Sequence, residues 1–507
     1  MRHTTVGILS ALGMLFTSFT VWSITPDGGY HASAEPASGT EVPTTDDSLE
    51  APGEIDPAHF VTGNTLRIDA RLGHAKMVQG EAGETFVLVE IAGTSNDAAA
   101  QSAPANAHLA IVMDQSGSMR GSRLANAKSA ALRAIDTMRD GDMVTVVTFN
   151  TRSRIVVPPT VVDPSSRSRI TSDVQRIELG GDTCVSCGVE TALGELNQSK
   201  DRVSRMLVLS DGDTNSGIRD VAGFKNLAKR AADRGVTITT IGVDVDYNES
   251  IMAAISDGSN GRHYFVDNDA GLTKVFEEEA KFLSHTVASD AVAEIELAPG
   301  VELDRVFDRT FSRSGSRLRI PLGAFAAGEQ KTILLKVRLT GGGADGEVAP
   351  IAQTTVRFRD QKSGNEATTE GKLGVTLVAT KDGASPLDGV VAGRVERAET
   401  ASVLREANQL FRLGKVDDAR KKLATQRQSV AANASDAKSR APSSRAKDVE
   451  RDFQKQERSL DEAEQALAAP ASPAPGVNGA RPSPAPPSRA NKGGAKKAME
   501  DANAFGF

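Results

Sequence analysis

His108–Gly121 reads HLAIVMDQSGSMRG. The apolar run Leu109–Met113 continues unbroken into Asp114, and Ser116 and Ser118 follow at two-residue spacing around Gly117. Such a run predicts a strand buried on both faces. Ending it on a carboxylate and two hydroxyls puts hard oxygen donors at the strand's carboxyl end. Gly117 is expected to let the loop turn sharply enough for the serines to converge.

The residues downstream extend the pattern. A helix is predicted over Ser122–Met138, then strand-like MVTVVTFN (Met143–Asn150) and IVVPPTVV (Ile155–Val162). Short helices are predicted near Ser166–Gln175 and Val189–Asn197. MLVLSD (Met206–Asp211) precedes a helix over Ile218–Arg234, and TITTIGVD (Thr237–Asp244) leads to another helix. HYFVD and a last helix from Asp269 to about Ser284 complete the series. Near-continuous Val/Ile/Leu runs alternating with helices predict a doubly wound, mostly parallel α/β domain over 106–286.

The flanks change period. TLRIDARL (Thr65–Leu72) and TFVLVEIA (Thr85–Ala92) precede this domain; VAEIEL, RLRIPL, KTILLKVRL, TTVRF and KLGVTLVA follow it. Their period-two alternation between Gly, Pro and Asp turns predicts an antiparallel β-sandwich. Its expected parts are 59–105 and 287–380, with the α/β domain inserted into it or stacked beside it.

A helical region is expected over 388–468. Leu404, Ala407, Leu410 and Phe411 share a face, Gly414 interrupts it, and Val416, Ala419 and Leu423 resume it. This hairpin looks like one tetratricopeptide-type unit, yet one unit cannot bury its own face and no further repeat follows. A third helix, Ala446–Leu467, is highly charged and reads as solvated. Residues 469–507 hold seven of the 21 prolines, with Lys492, Lys496 and Lys497, and read as a disordered tail.

At the other end, Val6–Ile24 carries no charge and follows Arg2 and His3. Two readings of 1–34 stand: a cleaved signal ending at Ala32-Ser33-Ala34, or a retained anchor with Arg2 inside. Both put the body outside the cytoplasm. Residues 35–58 are acidic, without apolar periodicity, and read as a linker. The formal net charge of −7 over 507 residues, with no basic aromatic-interleaved face, argues against a nucleic-acid partner.

At the carboxyl ends of the predicted parallel strands, where open α/β sheets place their sites, three features collect. They are Asp114-Gln115-Ser116-Gly117-Ser118, Gly180-Gly181-Asp182-Thr183, and Asp211-Gly212. Leaving Asp182 aside, they offer two carboxylates and three hydroxyls, which suit Mg2+ or Mn2+ (or Ca2+) and no soft metal. Asp213 and Asn215 in DGDTNSG read as turn residues, since Gly and Glu are missing where a calcium loop needs them.

The set closely resembles the von Willebrand factor A domain and its metal-ion-dependent adhesion site, over roughly 107–285. The family's DxSxS loop, threonine and strand-end aspartate fall on Asp114, Ser116, Ser118, Thr183 and Asp211. The resemblance implies a bound divalent cation whose open position is filled by an Asp or Glu of a protein partner. It also implies an exported, metal-dependent adhesion or protein-binding protein, attached to the membrane by its N-terminal segment if that is uncleaved.

No enzymatic activity is expected, because no histidine lies in these loops and no Walker loop or GxSxG elbow occurs. Two alternatives remain: a regulatory or assembly subunit of a membrane-associated complex of the ATPase-linked kind, and a CxxC redox protein. Cys184 and Cys187, the two cysteines of the chain, lie in TCVSCG immediately after Thr183. A short-range disulfide, a redox dithiol and free thiols are the three readings, the disulfide being the ordinary one in an exported chain.

Overall fold

The computed structural model describes residues 56–94, 107–197, 202–211, 213–245, 247–467 and 489–505. The apolar N-terminal segment, the linker up to residue 55, residues 95–106 and the stretch 468–488 lie outside them. No helix among the described residues is long and apolar enough to cross a membrane.

Four strands come first: β1 (His59–Thr62), β2 (Leu66–Leu72), β3 (Lys76–Val78) and β4 (Gly83–Gly93). In β2 the side chains of Leu66, Ile68 and Ala70 are buried while Arg67 is exposed, the alternation a half-buried strand requires.

The α/β domain follows. Its elements are β5 (Ala107–Asp114), α1 (Ser122–Thr137), β6 (Met143–Phe149), β7 (Ser153–Val161), α2 (Pro164–Gln175) and α3 (Val185–Leu196). They continue with β8 (Val203–Ser210), α4 (Val221–Ala232), β9 (Thr237–Val243), α5 (Glu249–Gly258), β10 (His263–Val266) and α6 (Asp269–Ser284). The sheet order is β10-β9-β8-β5-β6-β7, parallel except for β7 against β6. Every residue of β5 is buried, as its apolar run requires at the centre of a doubly covered sheet. Pro158 and Pro159 sit in edge strand β7, where a missing ladder donor is tolerated.

The sequence places the start of α3 near Val189; the helix begins at Val185. Gly188 disguises this, because glycine weakens a helix pattern. Packing explains the glycine: a Cβ there would come within 2.6 Å of the Phe149 ring and 2.8 Å of Val112.

The sandwich is completed by β11 (Thr286–Leu297), β12 (Val301–Phe307), β13 (Ser312–Ser314), β14 (Arg317–Ala326), β15 (Gln330–Leu339), β16 (Val348–Asp360) and β17 (Glu366–Val378). One sheet has the order β1-β2-β4-β15-β12 and the other β13-β14-β11-β16-β17-β3. Strand β4 pairs antiparallel with β15, and β3 adds parallel to β17. Segments from both sides of the α/β domain therefore share both sheets, and that domain is an insertion in the sandwich. Ile68, Val89 and Ile91 share a core with Ile295, Ile320 and Leu335.

Four helices follow among the described residues: α7 (Gly389–Arg412), α8 (Val416–Arg440), α9 (Ala446–Ala466) and α10 (Arg489–Phe505). Two expectations are corrected here. The third helix is not solvated: Val449, Phe453, Leu460 and Ala463 form a buried stripe on α9 among its charges. The tail is not disordered throughout, since 489–505 is helical and buries Ala495, Ala498, Ala502 and Phe505. These residues recur at helical spacing behind a proline-rich stretch whose composition dominates the sequence reading. The hairpin α7–α8 thus finds the cover that one repeat unit lacks. Helix α10 also reaches edge strand β10, where the His263 N–H donates to Asn503 Oδ1 at 2.8 Å.

Candidate metal centre

Strands β5 and β8 are neighbours in the sheet, so their carboxyl ends bring Asp114 and Asp211 together. Both are buried, at 0% and 1% exposure. The Asp114 carboxylate accepts from the Ser116 N–H (2.8 Å) through Oδ1 and from the Ser210 hydroxyl (2.6 Å) through Oδ2. The Ser116 and Ser118 hydroxyls lie 2.9 Å apart, and Ser118 Oγ donates to Asp211 Oδ1 at 2.6 Å. Asp114, Ser116, Ser118 and Asp211 thus form one hydrogen-bonded cluster. Gly117 and Ser118 are exposed, so the cluster opens to solvent.

Thr183 reaches the neighbourhood through its backbone. The Gly117 N–H donates to Gly181 O (3.3 Å) and the Gly180 N–H to Gln115 O (2.8 Å), tying the first loop to the second. The Thr183 N–H donates to Asn215 Oδ1 (2.9 Å), and Thr183 O accepts from the Asn215 N–H (3.0 Å), tying the second to the third. The Thr183 hydroxyl makes no hydrogen bond among the described residues. Gly117 does not have the left-handed backbone that its expected role required. That conformation falls on Gly121 (φ 81°) and Gly181 (φ 77°), and at Gly181 a Cβ would meet Thr151 Oγ1 at 2.9 Å.

Cys184 and Cys187 are disulfide-bonded across the first turn of α3. The third loop presses on this turn: a Cβ at Gly217 would meet Ser186 Oγ at 2.4 Å and Cys184 Sγ at 2.6 Å. The Ile218 N–H donates to Ser186 Oγ at 3.0 Å. The cysteine turn therefore braces both the Thr183 loop and the loop leaving Asp211.

Four participants escape sequence reasoning. Ser210 is the last residue of β8, directly before Asp211, and the apolar run hides its role. Asn215, expected to be a turn residue, holds the Thr183 backbone. Arg123, in the first turn of α1, donates from Nη1 to Asp211 Oδ2 (2.8 Å) and Ser118 O (2.8 Å), and its Nη2 pairs with Asp244. No motif links Arg123 to Asp244, which lie 121 residues apart.

The electrostatics are only partly compensated. Burial pushes the Asp114 carboxyl up to about 6, against its serine hydrogen bonds and with help from the Asp211 charge. Burial also raises Asp211, although Ser118 and Arg123 oppose it. Two carboxylates are thus held in a shared buried position with one guanidinium beside them. No cluster of three or more His, Cys, Asp or Glu of metal-holding type occurs among the described residues. The donors are hard oxygens from two carboxylates and three hydroxyls, and they fit a small divalent cation.

Residues 108–278 match the model of the von Willebrand factor type A domain, and the fold and these loops of that region agree with the match. Domains of this class mediate protein interactions and adhesion and commonly hold a divalent metal at such a site. Among known proteins, the chain is 28% identical to the uncharacterized protein YfbK of Escherichia coli over 271 residues, 51% of this chain and 46% of that one. It is 25% identical over 175 residues to inter-alpha-trypsin inhibitor heavy chain H1 of Homo sapiens, 32% of this chain and 19% of that one. The chain therefore spans under half the length of either relative. A solved von Willebrand factor type A structure from Catenulispora acidiphila superposes with a TM-score of 0.64 at 18% identity, covering 82% of this chain and 93% of that one. At that identity the likeness concerns the fold.

Proposed function

We propose that this protein is a metal-dependent protein-binding or adhesion protein and not an enzyme. A divalent cation, Mg2+ in the first instance, would be held by Asp114, Ser116, Ser118, Thr183 and Asp211. The observation that carries the reading is the pair of buried carboxylates facing solvent-side hydroxyls, with Arg123 as the ion-pair partner of Asp211 among the described residues. When bound, the cation supplies an electrophilic position that an Asp or Glu of a partner completes. Around it the chain's own residues position and orient. Ser210 and the Ser116 N–H hold Asp114, Arg123 holds Asp211, and Asn215 with the disulfide turn fixes the Thr183 backbone.

The loops 114–121, 180–184 and 211–218 contain no histidine, which favours binding over acid–base chemistry. A location outside the cytoplasm is part of the proposal, supported by the apolar segment Val6–Ile24 and by a disulfide in a two-cysteine chain. The test is a pull-down from cell envelope with magnesium and with chelator, using the native chain and Asp114→Ala. Partners recovered with native protein in magnesium alone would support the reading; identical recovery in all four samples would sink it.

A further inference from the structure

A groove of about 680 Å³ lies between the α/β domain and the helical region, with Val221, Lys225 and Asp257 on one side and Arg412 and Leu413 on the other. It is reached from the metal centre by continuous structure. Arg219, on its rim, belongs to the loop that leaves Asp211. On the other flank, Asp211 pairs with Arg123, and Arg123 with Asp244 at the carboxyl end of β9. Helix α5 starts five residues later, and Ser250 in its first turn accepts from Arg412 Nη1 at 2.7 Å.

The charge of this groove runs against that of the molecule. The chain as a whole carries a formal charge of −7, but the groove is lined by four Arg and Lys side chains against two Asp. The acids are engaged. Asp220 caps α4, accepting from the Gly223 N–H at 2.8 Å, and Asp257 accepts from Asn503 Nδ2. Arg405 is paired with Asp308. Arg219 and Lys225 are exposed and make no hydrogen bond or ion pair among the described residues. Two large apolar side chains are also left open, Val221 at 38% and Leu413 at 64% exposure. Lys225 acts on Asp257 through its charge only, and exposed cations beside exposed aliphatic side chains suit a ligand that presents carboxylates next to apolar groups.

We propose that this groove is a second docking site for the protein partner that completes the metal centre, and that it takes a partner segment in which acidic residues flank Leu, Ile or Phe. The inference rests on the metal-dependent reading for the partner's identity, but not for the chemistry of the groove. Metal coordination by one carboxylate selects little beyond a carboxylate. A flanking cationic and apolar groove adds the discrimination.

The test is selection of random short displayed peptides on the full chain in magnesium, followed by affinity measurement on the charge-reversed variant R219E/K225E and on L413D. These positions are exposed, so folding is checked simply by an unchanged melting temperature. The expected result is enrichment of peptides with acidic residues flanking Leu, Ile or Phe, which lose about tenfold in affinity on R219E/K225E. Enrichment of no such pattern, or equal affinity for native and variant chains, would overturn the proposal. Repeating the measurements in chelator and with Asp114→Ala separates the two readings. Peptides that need Arg219 and Lys225 but not metal leave the groove standing and remove the metal's role. Peptides that need metal but not these cations do the reverse.

Discussion

Glu90 and Asp114 are both carboxylates at strand positions, exposed by 3% and 0%, yet their surroundings are opposite. Glu90, on β4, receives Arg394 Nη2 at 2.6 Å, Arg445 Nη2 at 2.8 Å and Gln330 Nε2 at 2.8 Å. Burial alone would raise its carboxyl, but the two guanidiniums outweigh that and hold it below the usual range. Asp114 receives two serines and faces Asp211, so burial prevails and its carboxyl is raised. The first acid is neutralised by the fold and pins the helical region to the sandwich. The second is left short of positive charge at an opening to solvent, where the fold gains nothing from it. Burial with so little compensation is the observation on which the proposed metal-dependent function rests.

The largest effect that would break the contrast is on stability. Glu90→Ala should cost about 3 kcal/mol, because it removes the carboxylate partner of Arg394 and the shortest ion pair of Arg445. Urea unfolding of native and variant chains measures it, and a neutral result would mean that the pairing does not hold the two regions together. Asp114→Ala should behave oppositely. In chelator it should melt no lower than the native chain. At magnesium one hundred times the dissociation constant, the native chain should gain about 2.7 kcal/mol and the variant nothing. A native chain whose melting temperature ignores magnesium would remove the distinction between the two acids.

Positioning effects come next. Asn215→Ala should weaken magnesium binding about tenfold by calorimetry without altering the melting temperature in chelator. The double change Cys184→Ala, Cys187→Ala should give a smaller loss of the same sign. The smallest expected effect concerns pH. Asp69, beside Glu90, is held at about 2: burial would raise it, but His59 and Arg71 lower it further. Its folded value lies below its unfolded one, so its contribution is complete above about pH 4 and is lost as pH falls towards 2. After solvent screening this is about 1 kcal/mol. Thermal melts of Asp69→Asn should show a correspondingly shallower acid dependence.

Much of this was legible in sequence because the evidence was local. The strand runs, the DxSxS spacing and the strand-end Asp211 each sit within a few consecutive residues, and periodicity alone gives the layered sheet. The unread parts depend on distant pairing. Arg123 and Asp244 meet because α1 begins on the side of the sheet where β9 ends. The apolar stripe of α9 is only Val449, Phe453, Leu460 and Ala463 among many charges, so its burial follows from a neighbouring helix that composition disguises. Asn215 holds a backbone N–H in another loop, and no spacing rule announces such a bond.

The way the inserted domain is joined to the sandwich has a mechanical consequence. Helix α6 ends at Ser284 and β11 begins at Thr286, so His285 is the whole connection. Helix α6 packs along α1, whose first turn carries Arg123. Tension applied by a partner at the metal-site loops would therefore enter the sandwich through a joint with no slack, along the axis of a packed helix and into a strand paired on both sides. A longer tether there would let this end of the domain swivel under load; a one-residue joint would pass the load on.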